Sequence, residues 1–179
     1  MIVPNGPSVS RLGIPGFHPG GVGSAPTWVT MQEAEVIDSF TKASGHAYLS
    51  NFHPSTIYVD GKSYPTVEHA YQAHKTLDEN SHELIRKAKT PAEAKKLGRA
   101  VGLRPDWDSI KLDLMRSFIR KKFENPFLRP LLLKTGDVKL VYGNTWNDRF
   151  FGVCRGTGDN WLGRILMEVR EEARHEDSL

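Results

Sequence analysis

Apolar positions follow recognisable periods from about residue 36 onward and none before it. Val36, Ile37 and Phe40 supply a short apolar strand that leads into a turn region between Ser39 and His46. Thr56-Ile57-Tyr58-Val59 and Lys62-Ser63-Tyr64 flank Asp60-Gly61, whose residues both tolerate positive φ, so this stretch predicts a β-hairpin. Pro65 stops the second strand. Thr66 can then cap a helix in which Val67, Ala70, Tyr71 and His74 recur on one face, which places Glu68 in the first turn. Thr90-Pro91-Ala92-Glu93 reads as a capping box with proline at the first helical position, opening a helix that runs to about Gly98 or Gly102. A longer helix opens at Asp106 to Asp108, carries Ile110, Leu114, Phe118 and Ile119 at helical spacing, and breaks at Asn125-Pro126. A short one with Phe127, Leu128, Leu131 and Leu132 ends at Gly136. Val138-Lys139-Leu140-Val141-Tyr142 alternates as a strand closed by Gly143, and Leu162, Ile165, Leu166 and Val169 mark a C-terminal helix. The pattern predicts the α+β class: a mainly helical single domain packed around a small β-sheet.

Composition adjusts this picture at its N-terminal end. Residues 1 to 35 hold five of the eleven prolines and six of the sixteen glycines, which predicts a flexible arm ahead of a domain over residues 36 to 175. A chain of 179 residues with 39% hydrophobic content suits one domain with a full core. The apolar runs, such as Leu131-Leu132-Leu133, fall far below the roughly 20 residues that a membrane span needs. Cys154 is the only cysteine, so neither an intramolecular disulfide nor a cysteine zinc framework is expected. A reducing cytoplasm is the expected compartment. No basic segment followed by an apolar one opens the chain as a secretion signal would. The net charge of +3 is unevenly spread, because Arg86 to Lys122 contains twelve Lys or Arg against four Asp or Glu. Such a run could attract phosphates or nucleic acid, or be the solvated outer faces of helices.

The candidate chemistry lies in two polar clusters eighty residues apart, around Glu68 and Asp148. Taken alone, Glu68 is a first-turn acid favoured by the helix dipole, and Asn147-Asp148 is a turn pair. Glu68, Gln72 and Lys75 nevertheless share a helix face, as cleft-lining groups would. His69 and His74 are five apart, off the spacing that places two imidazoles on one metal, so no catalytic metal is expected. Cys154 has no adjacent base to activate it. Gly152, Gly156 and Gly158, followed by a helix, could present backbone amides to a phosphate or be a flexible connection.

Several ordered blocks carry a family resemblance. Leu49-Ser50-Asn51-Phe52, Tyr64-Pro65-Thr66-Val67-Glu68-His69-Ala70-Tyr71-Gln72-Ala73, Ala88-Lys89 with Ala94-Lys95-Lys96-Leu97-Gly98, and Arg104-Pro105-Asp106-Trp107 come first. Lys122-Phe123-Glu124-Asn125, Leu131-Leu132-Leu133-Lys134-Thr135-Gly136, Asn147-Asp148, and Gly158-Asp159-Asn160-Trp161-Leu162-Gly163-Arg164-Ile165-Leu166-Met167 follow in order. Together they resemble the YbiA-like, NADAR-domain family over about residues 36 to 172. The chain departs from it in carrying Phe151 before the loop glycine, where a tryptophan is usual, and Phe40-Thr41-Lys42 ahead of Leu49.

The resemblance implies an N-glycosidase that cleaves a bond between ribose and nitrogen without a cofactor. The implied substrates are phosphorylated ribosylamino-pyrimidines of riboflavin synthesis, or, in other branches, ADP-ribose on guanine bases, with nucleic acid then part of the substrate. A module that binds NAD or ADP-ribose without cleaving it is a further alternative. By resemblance the catalytic residues are Glu68, Asp148 and Trp107, the last stacking on the base, and the substrate-binding residues are Asn51, Phe52, Gly152, Asn160 and Gly163. Lys42 matches by position a lysine proposed in some relatives to form a Schiff base with ring-opened ribose.

Overall fold

The computed structural model describes residues 35–178, so the arm expected over residues 1 to 35 lies outside the described residues except for Glu35. Along the described chain run β1 (Val36–Ile37), a 3₁₀ turn (Ala47–Leu49), β2 (Ile57–Val59), β3 (Lys62–Tyr64), α1 (Val67–Ala73), α2 (Glu79–Arg86) and α3 (Pro91–Gly98). Then come α4 (Trp107–Phe123), α5 (Arg129–Leu133), β4 (Lys139–Leu140), β5 (Gly143–Asn144), β6 (Val153–Cys154) and α6 (Trp161–Glu176).

The local signals act as their chemistry requires. Asp60 and Gly61 take φ of 48° and 76° and close the hairpin with Ile57 opposite Tyr64. The Thr66 hydroxyl accepts the His69 backbone N–H at 3.3 Å and caps α1. The Thr90 hydroxyl accepts from Glu93 N at 3.1 Å, and the Glu93 carboxylate accepts from Lys89 N at 2.7 Å, one residue ahead of the cap. Helix α2 has no counterpart in the sequence reading, because its only apolar residues, Leu84 and Ile85, are adjacent near its end and only Ile85 is buried, so no apolar residues recur at helical spacing. Asp78 caps it by accepting Ser81 N at 2.8 Å.

The domain is α+β, with its strands divided among three separate two-stranded ladders. β1 pairs in parallel with β4, β2 antiparallel with β3, and β5 in parallel with β6. No strand among the described residues exceeds three residues, so helices rather than a continuous sheet organise the core. Helix α1 is the centre: all seven of its residues are buried, and α2, α3, α4 and β3 pack around it. Helix α6 lies against α4, α5 and β4. Leu49, Phe118, Ile119, Leu132, Leu140 and Ile165 are fully enclosed, each contributing about 1.5–3 kcal/mol by its removal from water. Polar links fasten the outer helices: Arg116 Nε donates to Glu168 at 3.0 Å, and the buried Arg170 donates to Thr135 Oγ1 and Val138 O, each at 2.9 Å. No helix among the described residues is long and apolar enough to cross a membrane.

Candidate active site

Because α2, α3, α4 and β3 pack around α1, its first-turn acid is not a surface residue stabilised by a dipole alone. Glu68 is only 6% exposed. Its Oε1 accepts a hydrogen bond from Gln72 Nε2 at 2.8 Å, and its backbone N–H donates to Asn51 O at 3.1 Å. Burial pushes the Glu68 carboxyl above the usual carboxylate range, the Gln72 amide and the charges of Lys95 and Lys75 oppose the shift, and the charge of Asp148 adds to it. The tertiary fold therefore brings the field of Asp148 to Glu68 across eighty residues of chain. The phenols of Tyr71 and Tyr142 feel both acids too: burial first, then Glu68 and Asp148, hold both hydroxyls in the neutral form well above the ordinary tyrosine range. Two carboxylates and two phenols thus share one electrostatic neighbourhood.

Gln72 owes its place to Gly98. A Cβ at Gly98 would collide with the Gln72 side chain, so only glycine lets α3 approach α1 closely enough to enclose that amide. Asp148 is held by its loop. Asn144 Nδ2 donates to Asp148 O at 2.7 Å, Asp148 N donates back to Asn144 Oδ1 at 3.0 Å, and Asp148 Oδ1 accepts from Phe151 N at 2.9 Å. Asn147 supports the turn with a φ of 65°.

A cleft of about 480 Å³ has Lys95 and Tyr142 in its walls, the residues whose charge and hydroxyl lie within the field of these acids, although neither acid lines it. Phe40, Phe52, Tyr142 and Trp146 provide its aromatic walls, Thr41 and Ser50 its hydroxyls, and Lys95 and Arg99 its positive charge. Lys95 Nζ stands 5.6 Å from the Phe52 ring centroid and 5.9 Å from that of Trp146. Lys75 Nζ lies 5.5 Å from the Tyr71 centroid and 5.9 Å from that of Trp107. Burial pulls the Lys75 amine down, Glu68 opposes this, and Arg99 and Lys95 reinforce it, so the three cations lie within each other's field. None of the ion pairs among the described residues involves Lys75, Lys95 or Arg99. Lys95 and Arg99 repel each other at i, i+4 on one helix flank, an arrangement that an anion would relieve. A larger cavity of about 640 Å³, lined among others by Ile37, His46, Tyr48 and Lys134, shares no lining residue with the cleft.

The basic run between Arg86 and Lys122 is not one open patch. Arg86 and Lys87 pair with Glu83, Arg104 with Asp106, Lys111 with Asp108, Arg116 with Asp113 and Glu168, and Arg120 with Glu172. Lys122 is completely buried. Among the described residues no three His, Cys, Asp or Glu side chains converge as metal ligands would.

The other residues singled out in the sequence take distinct places. Phe52 lines the cleft, and Asn51 lies behind it with its Oδ1 buried and unpartnered. Trp107 is only 6% exposed and packs against Tyr71 with ring centroids 5.0 Å apart and planes tilted by 59°. Asn160 donates to Leu140 O and accepts from Tyr142 N, both at 2.9 Å. At Gly152 a Cβ would collide with Tyr142 O, and at Gly163 with Leu140 O. These last three residues thereby frame the backbone that presents Tyr142 to the cleft. Lys42 is exposed, next to the cleft residue Thr41. Tyr71, Tyr142, Lys95, Arg99 and Trp146 were not among the sequence candidates. The like-charged Lys95 and Arg99 one helical turn apart were the available signal; nothing local distinguished the tyrosines from core residues.

Fold and site define a single α+β domain in which a buried acid, a half-buried one and two neutral phenols share one electrostatic neighbourhood with a cationic, aromatic-walled cleft. Residues 39–174 match the NADAR domain model, and the chain belongs to that family. It is 43% identical over 141 residues to N-glycosidase YbiA of Escherichia coli, covering 76% of this chain and 88% of that protein. The solved structure of the E. coli YbiA protein superposes with a TM-score of 0.73 at 40% identity, covering 80% of this chain and 88% of that one. An N-glycosidase of Nostoc punctiforme is 44% identical over 138 residues, with 73% and 88% coverage. A riboflavin biosynthesis protein of Vibrio vulnificus is 42% identical over 131 residues, which are 71% of this chain and 35% of that protein.

Proposed function

We propose that the chain is an N-glycosidase that hydrolyses the C1′–N bond of a phosphorylated ribosylamine, such as a ribosylamino-pyrimidine phosphate of riboflavin synthesis. The observation that carries the reading is Glu68: a buried carboxyl with a neutral amide partner, within the field of a second carboxylate and of Lys95, one of two unpaired cations in the cleft wall. The N-glycosidase class is supported by the curated relatives from E. coli and Nostoc, and the riboflavin assignment by the matching segment of the Vibrio protein.

Cleaving a ribosyl C–N bond builds positive charge on C1′ and negative charge on the departing nitrogen. Glu68, whose proton affinity burial raises, donates a proton to that nitrogen. Asp148 stabilises the cationic sugar and takes a proton from the water whose oxygen bonds to C1′. The products are a free amine on the base and a ribose phosphate, and both acids return to their starting forms after exchange with solvent. Lys95 and Arg99 hold the phosphate. Tyr71 and Tyr142, kept neutral, donate hydrogen bonds to sugar oxygens. Trp107 supports Tyr71 from behind rather than stacking on the base.

The test is to incubate the full chain with a ribosylamino-pyrimidine 5′-phosphate, ADP-ribosylated guanine DNA and NAD, and to follow freed base by mass spectrometry. Release from the pyrimidine phosphate is expected, with Glu68→Gln and Asp148→Asn each losing about 10²- to 10⁴-fold. Release only from ADP-ribosylated guanine would move the substrate to that class. Tight retention of NAD with no product would make the chain a binding module.

A further inference from the structure

We propose that Trp146 is the specificity-determining residue that grips the planar base of the leaving group by stacking, with its loop holding that ring in register with Asp148. The inference rests on the N-glycosidase reading for what is bound, but its geometry stands by itself. Single exposed apolar residues are common and ordinarily need no explanation. Trp146 differs in its setting: it is 55% exposed, yet it forms one wall of the cleft together with Phe52 and Tyr142.

Its ring contacts leave room for a ligand. The Tyr142 ring meets it edge-on at 6.0 Å, and Lys95 Nζ lies 5.9 Å from its centroid. The same ammonium lies 5.6 Å from Phe52, so one cation that makes no ion pair among the described residues sits beside two aromatic rings. A flat heterocycle entering there would exchange a cation–π contact for ring stacking and free Lys95 to reach the phosphate. The loop is also not free to fold the tryptophan away. The reciprocal hydrogen bonds between Asn144 and Asp148, at 2.7 and 3.0 Å, close the backbone on either side of Trp146. A stacking surface and the sugar-stabilising carboxylate thus lie two residues apart on one clamped loop, as an enzyme that must align base and C1′ requires.

The experiment compares the full-length chain with Trp146→Phe and Trp146→Ala. Each is titrated with a ribosylamino-pyrimidine 5′-phosphate, with uridine and guanosine 5′-phosphates, and with ribose 5-phosphate as a ligand without a base. Binding is read by calorimetry, tryptophan fluorescence and base release. Base-bearing phosphates are expected to quench fluorescence in the wild type but not in Trp146→Phe, which keeps a ring and most of the affinity. Trp146→Ala is expected to lose about 5- to 150-fold in affinity for them while binding ribose 5-phosphate nearly as before. Equal affinity for base-bearing ligands in wild type and Trp146→Ala would overturn the proposal. So would an equal loss for ribose 5-phosphate, which would mark a loop collapse instead. If the wild type shows the base-dependent signal but releases no base from any substrate, the stacking role stands and the hydrolase reading falls. If it releases base with a KM that Trp146→Ala leaves unchanged, the reverse holds, and no binding by any base-bearing ligand rejects both.

Discussion

Replacing Lys122 with methionine should stabilise this protein at neutral pH and cease to do so in mild alkali. The Lys122 side chain is fully enclosed in α4, and its Nζ donates one hydrogen bond, to Ser50 O at 2.7 Å. No carboxylate among the described residues pairs with it, and burial pulls its amine from 10.5 down to about 7. A lysine depressed in the folded state leaves the unfolded chain binding more protons between pH 7 and 10.5, so stability rises with pH across that window. At about 1.4 kcal/mol per unit, enclosing this amine costs about 4 kcal/mol at pH 7 and about 2 kcal/mol at pH 9. Methionine fills the same volume without a charge but leaves the Ser50 carbonyl unpaired, a loss of about 1–3 kcal/mol. The variant should therefore exceed the wild type by about 1–3 kcal/mol at pH 7 and roughly equal it at pH 9, so that the difference falls by about 2 kcal/mol. Urea denaturation followed by circular dichroism at pH 7, 8 and 9 measures this directly. A second reading comes from His53, whose proton affinity is lowered by burial and by the charges of Lys122 and Lys42. Its titration, followed by NMR, should move upward in the variant. A stability difference that does not change with pH would refute the reasoning, since Lys122 would then keep an ordinary proton affinity in the folded state.

Glu68→Gln should lose activity yet gain stability as pH rises. A carboxyl raised by burial contributes stability below its folded pKa and loses it as pH climbs through that value, whereas the amide has no proton to lose; melting curves at pH 5 and 8 check this. Gly98→Ala places a methyl group against the Gln72 side chain and should cost about 1–3 kcal/mol by overpacking, with the pH–rate profile displaced because Gln72 no longer holds Glu68; denaturation and kinetics on one preparation test both. Asn160→Ala removes the donor to Leu140 O and the acceptor of Tyr142 N and should destabilise by about 2–4 kcal/mol, with turnover falling more than substrate affinity; a lower KM-normalised rate without loss of stability would count against its framing of Tyr142.

The sequence alone determined what neighbouring residues decide. Asp60-Gly61 predicts its turn because positive φ is a local property, and Thr66 and Thr90 predict helix starts because a cap is satisfied within three residues. The ordered motif blocks likewise placed the chain in its family. Helix α2 was not legible because its polar sequence carries one buried side chain, and its stability depends on packing against α1 and α3. Glu68 shows most clearly what only the tertiary structure decided. Its position in a first turn is local, but its burial depends on α2, α3 and α4 closing over α1, and its neighbourhood with Asp148 on a loop eighty residues away. The same cause turned Lys122 from one member of a basic run into an enclosed amine, and set Trp107 against the Tyr71 ring. Capping and turn geometry act over a few bonds. Burial, which raises the proton affinity of Glu68 and lowers that of Lys122, is the sum of what distant elements take away from water.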